Sequence, residues 1–93
     1  MKRIIILPSF EQSIKSLTFD EKAKLRKSLE YFNSFLVSGN FPLGFRFKKI
    51  NHDKYEFKVG IKLRVIIKIQ GGDYYLILVG NHDDVKRYLR RFK

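Results

Sequence analysis

The chain has no cysteine and no tryptophan, two prolines, and nine acidic residues against twenty lysines and arginines. Each scarcity excludes something. Without cysteine there is no disulfide framework and no thiolate metal site. A small domain without disulfides suits a reducing cytoplasm. The two histidines, His52 and His82, stand too far apart in sequence to make a metal-ligand spacing. No apolar run approaches the roughly 20 residues needed to span a bilayer. Lys2 and Arg3 ahead of Ile4, Ile5, Ile6 and Leu7 give the start a superficial look of a signal peptide. Pro8 ends that run too soon, so it reads as a strand.

What is present is core material and positive charge. Of 93 residues, 44% are hydrophobic, with nine Phe and five Tyr. That is enough for one domain spanning 1–93 around one core, and it argues against disorder. The net charge of +11 is unevenly spread. Residues 9–38 are nearly neutral, with five Lys/Arg and four Asp/Glu. Residues 46–68 carry eight bases against two acids, and residues 82–93 carry five against two. Clustering of this kind attracts nucleic acid, an anionic surface or an acidic protein. Solubility alone asks for less.

The hydrophobic pattern gives the order of elements. Ile-rich residues 2–7 read as a strand. Ser9 with Gln12, then Thr18 with Glu21, have capping-box spacing, which predicts consecutive helices over 9–16 and 19–38. On the second, Leu25, Leu29, Phe32 and Leu36 form one apolar stripe. A Gly, Asn and Pro-rich loop follows over 39–44. From Phe45 the period becomes two. Strands are expected from Phe45, over 55–59 and over 61–70, with a turn at 51–54 and a hairpin turn at Gly71-Gly72-Asp73. Residues 74–79 are apolar on both parities, which predicts a central strand covered on both faces. Asp83 and Asp84 open a last helix with Val85, Tyr88, Leu89 and Phe92 on one side. The fold class is α+β: an N-terminal strand, a two-helix hairpin on a mainly antiparallel sheet of four to five strands, and a short C-terminal helix. Strand parity places Arg46, Lys48, Lys58, Lys62, Arg64 and Lys68 together on the face away from the helical hairpin.

The stretch Tyr55-Glu56-Phe57-Lys58-Val59-Gly60-Ile61-Lys62-Leu63-Arg64-Val65-Ile66-Ile67 resembles the sheet core of the RelE/ParE toxin superfamily. Leu78-Val79-Gly80-Asn81-His82-Asp83-Asp84-Val85 resembles its closing motif, and the element order matches over nearly all of the chain. The resemblance implies a cytoplasmic toxin of a type II toxin–antitoxin system, neutralised by an acidic antitoxin. In many members the activity is cleavage of mRNA in the ribosomal decoding site. It needs no metal or other cofactor and proceeds by attack of a ribose 2′-OH on the adjacent phosphate. A second branch of the superfamily poisons DNA gyrase instead, and an inactive RNA- or protein-binding relative is a further alternative.

Carried over by position, Arg64 corresponds to the arginine at the scissile phosphate. A guanidinium grips phosphate at two points and offsets charge that builds in the transition state. Lys58 matches a basic position on the preceding strand. Glu56 shares its parity at a position usually basic in the superfamily, either as general base or as an ion-pair partner. His82 matches a site often held by Arg or His, and an imidazole suits acid–base chemistry; the alternative is a helix cap. Lys86 stands where many members have Tyr, a departure that touches the standard mechanism. Arg46, Lys48, Lys62, Lys68, Asn81, Arg87, Arg90 and Arg91 are expected to contact nucleic acid, mostly at its backbone. His52 is read as a bystander.

Overall fold

In the computed structural model, which describes residues 3–39 and 47–91, eight elements follow one another. They are β1 (Arg3–Ile6), α1 (Pro8–Ile14), α2 (Phe19–Ser38), β2 (Phe47–Lys49), β3 (Lys54–Val59), β4 (Leu63–Gln70), β5 (Asp73–Gly80) and α3 (His82–Arg91). The strands form one sheet in the order β1-β5-β4-β3-β2. β1 runs parallel to β5, and the other neighbours are antiparallel. This is the expected α+β arrangement, with the larger of the two anticipated strand numbers. The expected strand start at Phe45 and Arg46, and the expected packing of Phe92, lie outside the described residues.

The two helix starts differ in their chemistry. At α2 the capping box forms as the sequence predicts. Glu21 N–H donates to Thr18 Oγ1 at 3.1 Å and Thr18 N–H donates to Glu21 Oε1 at 2.8 Å. At α1 the expected Ser9–Gln12 box does not form. Pro8, with its fixed φ and no N–H to leave unsatisfied, takes a first-turn position. Leu7 is the extended residue ahead of it, with no side-chain cap. Ser9 is thereby inside the helix, and its hydroxyl has other work.

That work is at the edge of β5. β1 pairs with β5 only as far as Ile6 opposite Leu76. Beyond that point α1 runs beside the strand. Ser9 Oγ donates to Ile77 O at 2.6 Å, and Val79 N–H donates to Ser13 Oγ at 3.0 Å. Two hydroxyls continue the ladder that β1 leaves, so the buried edge keeps its hydrogen bonds.

α1 and α2 cover one face of the sheet. Phe10, Leu25 and Phe32 meet Phe57, Val59, Leu63, Val65, Ile67 and Tyr74 in the main core. Phe32 is its hub: its ring lies 5.3 Å from Phe57 and 5.9 Å from Phe47 in stacked geometry, and 5.6 Å from Tyr74 edge-on. On the opposite face α3 lays Val85 on Ile66 and Ile77, with Tyr88 and Leu89 alongside. The β4–β5 register explains how β5 serves both. Ile66 is opposite Leu78 but Ile67 is opposite Leu76, which leaves Ile77 as an extra residue, a β-bulge. Tyr74 and Leu76 reach the main core before the bulge and Val79 after it, while Ile77 turns to the other face. The strand is buried on both sides, as its unbroken apolar run predicts.

Near the site, one strand limit and one helix limit differ from expectation. β4 begins at Leu63 rather than Ile61, because Gly60 turns the chain at φ +64°. Ile61 consequently points into solvent at 98% exposure. α3 begins at His82, ahead of the two aspartates.

Two measurements test this account. Phe32→Ala is expected to cost about 3–5 kcal/mol in chemical denaturation, the usual loss for a fully buried phenylalanine. The second concerns β1, whose Arg3 grips Asp73 through two hydrogen bonds of 3.1 and 2.9 Å. The hydrogen bond from Arg3, reinforced by its charge, holds the Asp73 carboxyl below the ordinary carboxylate range. The folded value is the lower one, so the contribution is complete above the unfolded value of about 3.9. It is lost as pH falls through the folded value. Arg3→Gln should therefore lower the melting temperature at neutral pH, and the gap to the wild type should close on acidification.

Candidate nucleic-acid interface and active site

Strand register assembles the site. Lys58 on β3 is directly opposite Arg64 on β4, and Arg64 is directly opposite Gly80 on β5. From Gly80 the chain turns into α3, which brings His82 back over Arg64. Arg64 Nη1 and His82 Nδ1 are in hydrogen-bond contact. A guanidinium offers only donors, so Nδ1 is the acceptor and the ring proton sits on Nε2. Lys86 lies one helical turn beyond His82 on the same side of α3. Three elements, β3, β4 and α3, thus bring Lys58, Arg64 and His82 together, with Lys86 following. Lys58, His82 and Lys86 are exposed, and Arg64 is half-buried.

The charges on this face are handled in two ways. Lys54 and Lys68 are also directly opposite each other. Asp53 sits between them, 3.5 Å from Lys54 Nζ and 3.9 Å from Lys68 Nζ. Lys58 and Arg64 have no such carboxylate among the described residues. Like charges directly opposite in a ladder repel by up to about 1 kcal/mol, and here nothing acidic offsets it. Glu56 faces Lys48 across β2–β3, yet makes no ion pair among the described residues. It is half-buried, two residues before Lys58 on the same face.

The remaining basic residues do not form the single surface that parity suggests. Lys62 falls in the turn before β4 rather than on the sheet face, because Gly60 ends the regular alternation. It lines a groove of about 930 Å³ between α1 and α3 together with Arg87, Arg90 and Arg91. The basic side of α3 is therefore split, with His82 beside Arg64 and these arginines along the groove. Arg46 lies outside the described residues. Lys48 is exposed on β2. His52 is exposed, and no interaction ties it to the site.

Asn81 has a role that the sequence reading missed. Its side-chain oxygen accepts from Asp84 N–H at 2.9 Å, and its own N–H donates to Asp84 Oδ2 at 3.0 Å. This is a reciprocal cap at the start of α3, with Asn and Asp in place of the usual pair. The signal was present as Asn three residues before Asp. Asn81 is thus the cap, and His82 is the first helical residue with its ring free for Arg64. Tyr88 packs inward as expected, and burial pushes its phenol above the ordinary value.

Among the described residues, no three His, Cys, Asp or Glu side chains come together as metal ligands, and no helix is long and apolar enough to cross a membrane.

No family model and no curated protein matches the chain in sequence, whereas solved structures do match it in fold. A chain of the RelB–RelE antitoxin–toxin complex from Methanococcus jannaschii superposes with a TM-score of 0.70 at 17% identity, over 90% of this chain and 96% of that one. YafQ from E. coli superposes with a TM-score of 0.66 at 14% identity, over 91% and 98%. A copper-bound mutant toxin from Helicobacter pylori gives 0.70 at 12% identity, over 91% and 99%. The resemblance carried by residues 55–67 and 78–85 is therefore matched by the architecture, and the chain has the fold of the RelE-like toxins.

Proposed function

We propose that this chain is the toxin of a type II toxin–antitoxin system and acts in the cytoplasm as a ribosome-dependent mRNA endonuclease. The observation that carries this reading is the Arg64–His82 contact on a cationic sheet face, with Lys58 opposite Arg64 and, among the described residues, no carboxylate to neutralise the pair. RNA phosphate is the natural counter-charge for two facing cations that have no carboxylate partner among the described residues. Solved neighbours include RelB–RelE and DinJ–YafQ toxin–antitoxin complexes, which supports an antitoxin as partner. An acidic antitoxin would compete with RNA for the same charge.

The chemistry follows from the groups. Arg64 and Lys58 hold the scissile phosphate and offset the charge of its pentavalent transition state. A phosphate that replaces His82 as the acceptor for Arg64 frees Nδ1. The ribose 2′-oxygen attacks phosphorus as its proton passes to that nitrogen. The P–O5′ bond breaks, and the imidazolium supplies a proton to the departing 5′-oxygen from Nε2. The products are a 2′,3′-cyclic phosphate and a 5′-hydroxyl. Glu56, unpaired on the same face, is the alternative base. Lys86, in place of the usual Tyr, contributes a phosphate contact.

One observation favours a second reading. The superfamily's usual Tyr is replaced by Lys86 and a basic position by Glu56, departures that suit a gyrase inhibitor which binds and does not cut. An inactive RNA- or protein-binding relative would neither cut RNA nor arrest growth.

Induced expression should arrest growth and cut translated messages. Arg64→Ala and His82→Ala should each relieve the arrest and reduce cleavage by about 10²–10³-fold with the fold intact. Uncut messages with stabilised gyrase–DNA cleavage complexes would overturn the nuclease reading. Lys58→Gln separates function from stability. It should weaken RNA binding and its salt dependence, yet leave the free protein as stable or up to about 1 kcal/mol more stable, because a facing like charge is gone.

A further inference from the structure

We infer that Gly80, Asn81 and Asp84 form a positioning device that sets the imidazole of His82 against Arg64, with Asp84 as its working residue. This rests on the nuclease reading for its catalytic meaning, though not for its geometry.

The argument starts at Gly80. It is buried, and it is the β5 residue directly opposite Arg64. Its φ is not in the left-handed region, so glycine is not required there for backbone conformation. Space requires it. A Cβ at this position would lie 2.7 Å from Asp84 Cβ and 2.8 Å from Asp84 Oδ2. The absence of a side chain is what lets Asp84 fold back over the strand end. There Oδ2 accepts from Asn81 N–H, while Oδ1 lies 3.4 Å from Arg87. Asn81 returns the bond to Asp84 N–H, and its carbonyl accepts from Val85 N–H at 3.1 Å. The backbone on both sides of His82 is therefore clamped, within two residues of the register position that fixes Arg64.

Asp84 is thus not a charge partner of the imidazole. Its oxygens are directed to Asn81 and Arg87, and the contact with the ring is left to Arg64. Nor does it stabilise a core, since it belongs to neither apolar cluster. Its effect on His82 passes through the backbone, which makes it a positioning residue.

The test uses the full chain. In the wild type, nitrogen NMR of His82 should show Nδ1 bare and Nε2 protonated in the neutral ring. Asp84→Ala should remain folded but show a mixture of both tautomers, and Asp84→Asn, which keeps an oxygen for Asn81 N–H, should restore the wild-type ring. Gly80→Ala should produce the same mixture by pushing Asp84 out. Cleavage by Asp84→Ala should fall about a hundredfold, the usual scale for a displaced catalytic group, with RNA affinity retained. An unchanged ring in folded Asp84→Ala would overturn the inference. So would loss of the fold in that variant, which would make the carboxylate purely structural. If the wild type does not cut RNA, the nuclease reading fails, while the ring measurement still decides the inference.

Discussion

Everything in this molecule depends on burying β5 on both faces. A strand apolar on one parity alone would serve one apolar layer and leave its other face wet. β5 is apolar on both parities, and the extra residue at Ile77 shifts the alternation by one. Ile77 crosses to the far face by the ordinary pleat, and the extra residue lets Val79 rejoin Leu76 in the main core. The second face then has an apolar footing of Ile66 and Ile77 on which α3 can rest. Without that footing the helix would lose its fully buried contacts with the sheet, and His82 would have no fixed place relative to Arg64. The candidate site is in this sense a product of packing on the side of the sheet away from the main core.

The same dependence explains where charge can and cannot be tolerated. The face of β3 and β4 beside α3 is only partly covered, so lysines and arginines can stand on it with their heads in water. At one end the repulsion is relieved within the protein, by Asp53 between Lys54 and Lys68. At the other end, near the start of α3, it is not relieved by any carboxylate among the described residues. Local stability is given up where an anion would be held, a pattern expected of working sites rather than of structural ones.

How much of this was legible in the sequence varied with the range of the interaction that decided it. The Thr18–Glu21 cap and the Leu25–Phe32 stripe are set within one helix, and both read correctly. The parity of Lys58 and Arg64 is set within single strands, and it too read correctly. The errors fall where a neighbour in space overrode a local preference. Ser9 has the composition of a cap, but Pro8 starts the helix earlier and the strand edge claims its hydroxyl. Lys62 continues the alternation of β4 on paper, yet Gly60 turns the chain before the strand begins. The cap between Asn81 and Asp84 goes unread, because Asp84 is taken only as an acid that opens the last helix. The bulge at Ile77 left no mark in a run apolar on both parities. Its position needed the register with β4.

The hydroxyls of Ser9 and Ser13 have a consequence for the company this protein can keep. A sheet edge with bare amides and carbonyls is a template on which another chain can add a strand, and an apolar, two-sided strand such as β5 would be a strong one. At Ile77 and Val79 those groups are already occupied by side chains of α1. An arriving strand would have to displace two short hydrogen bonds and a helix before it gained any of its own. This stretch of the sheet is sealed against its own kind, so β5 offers no template at Ile77 and Val79 for a strand of a second copy.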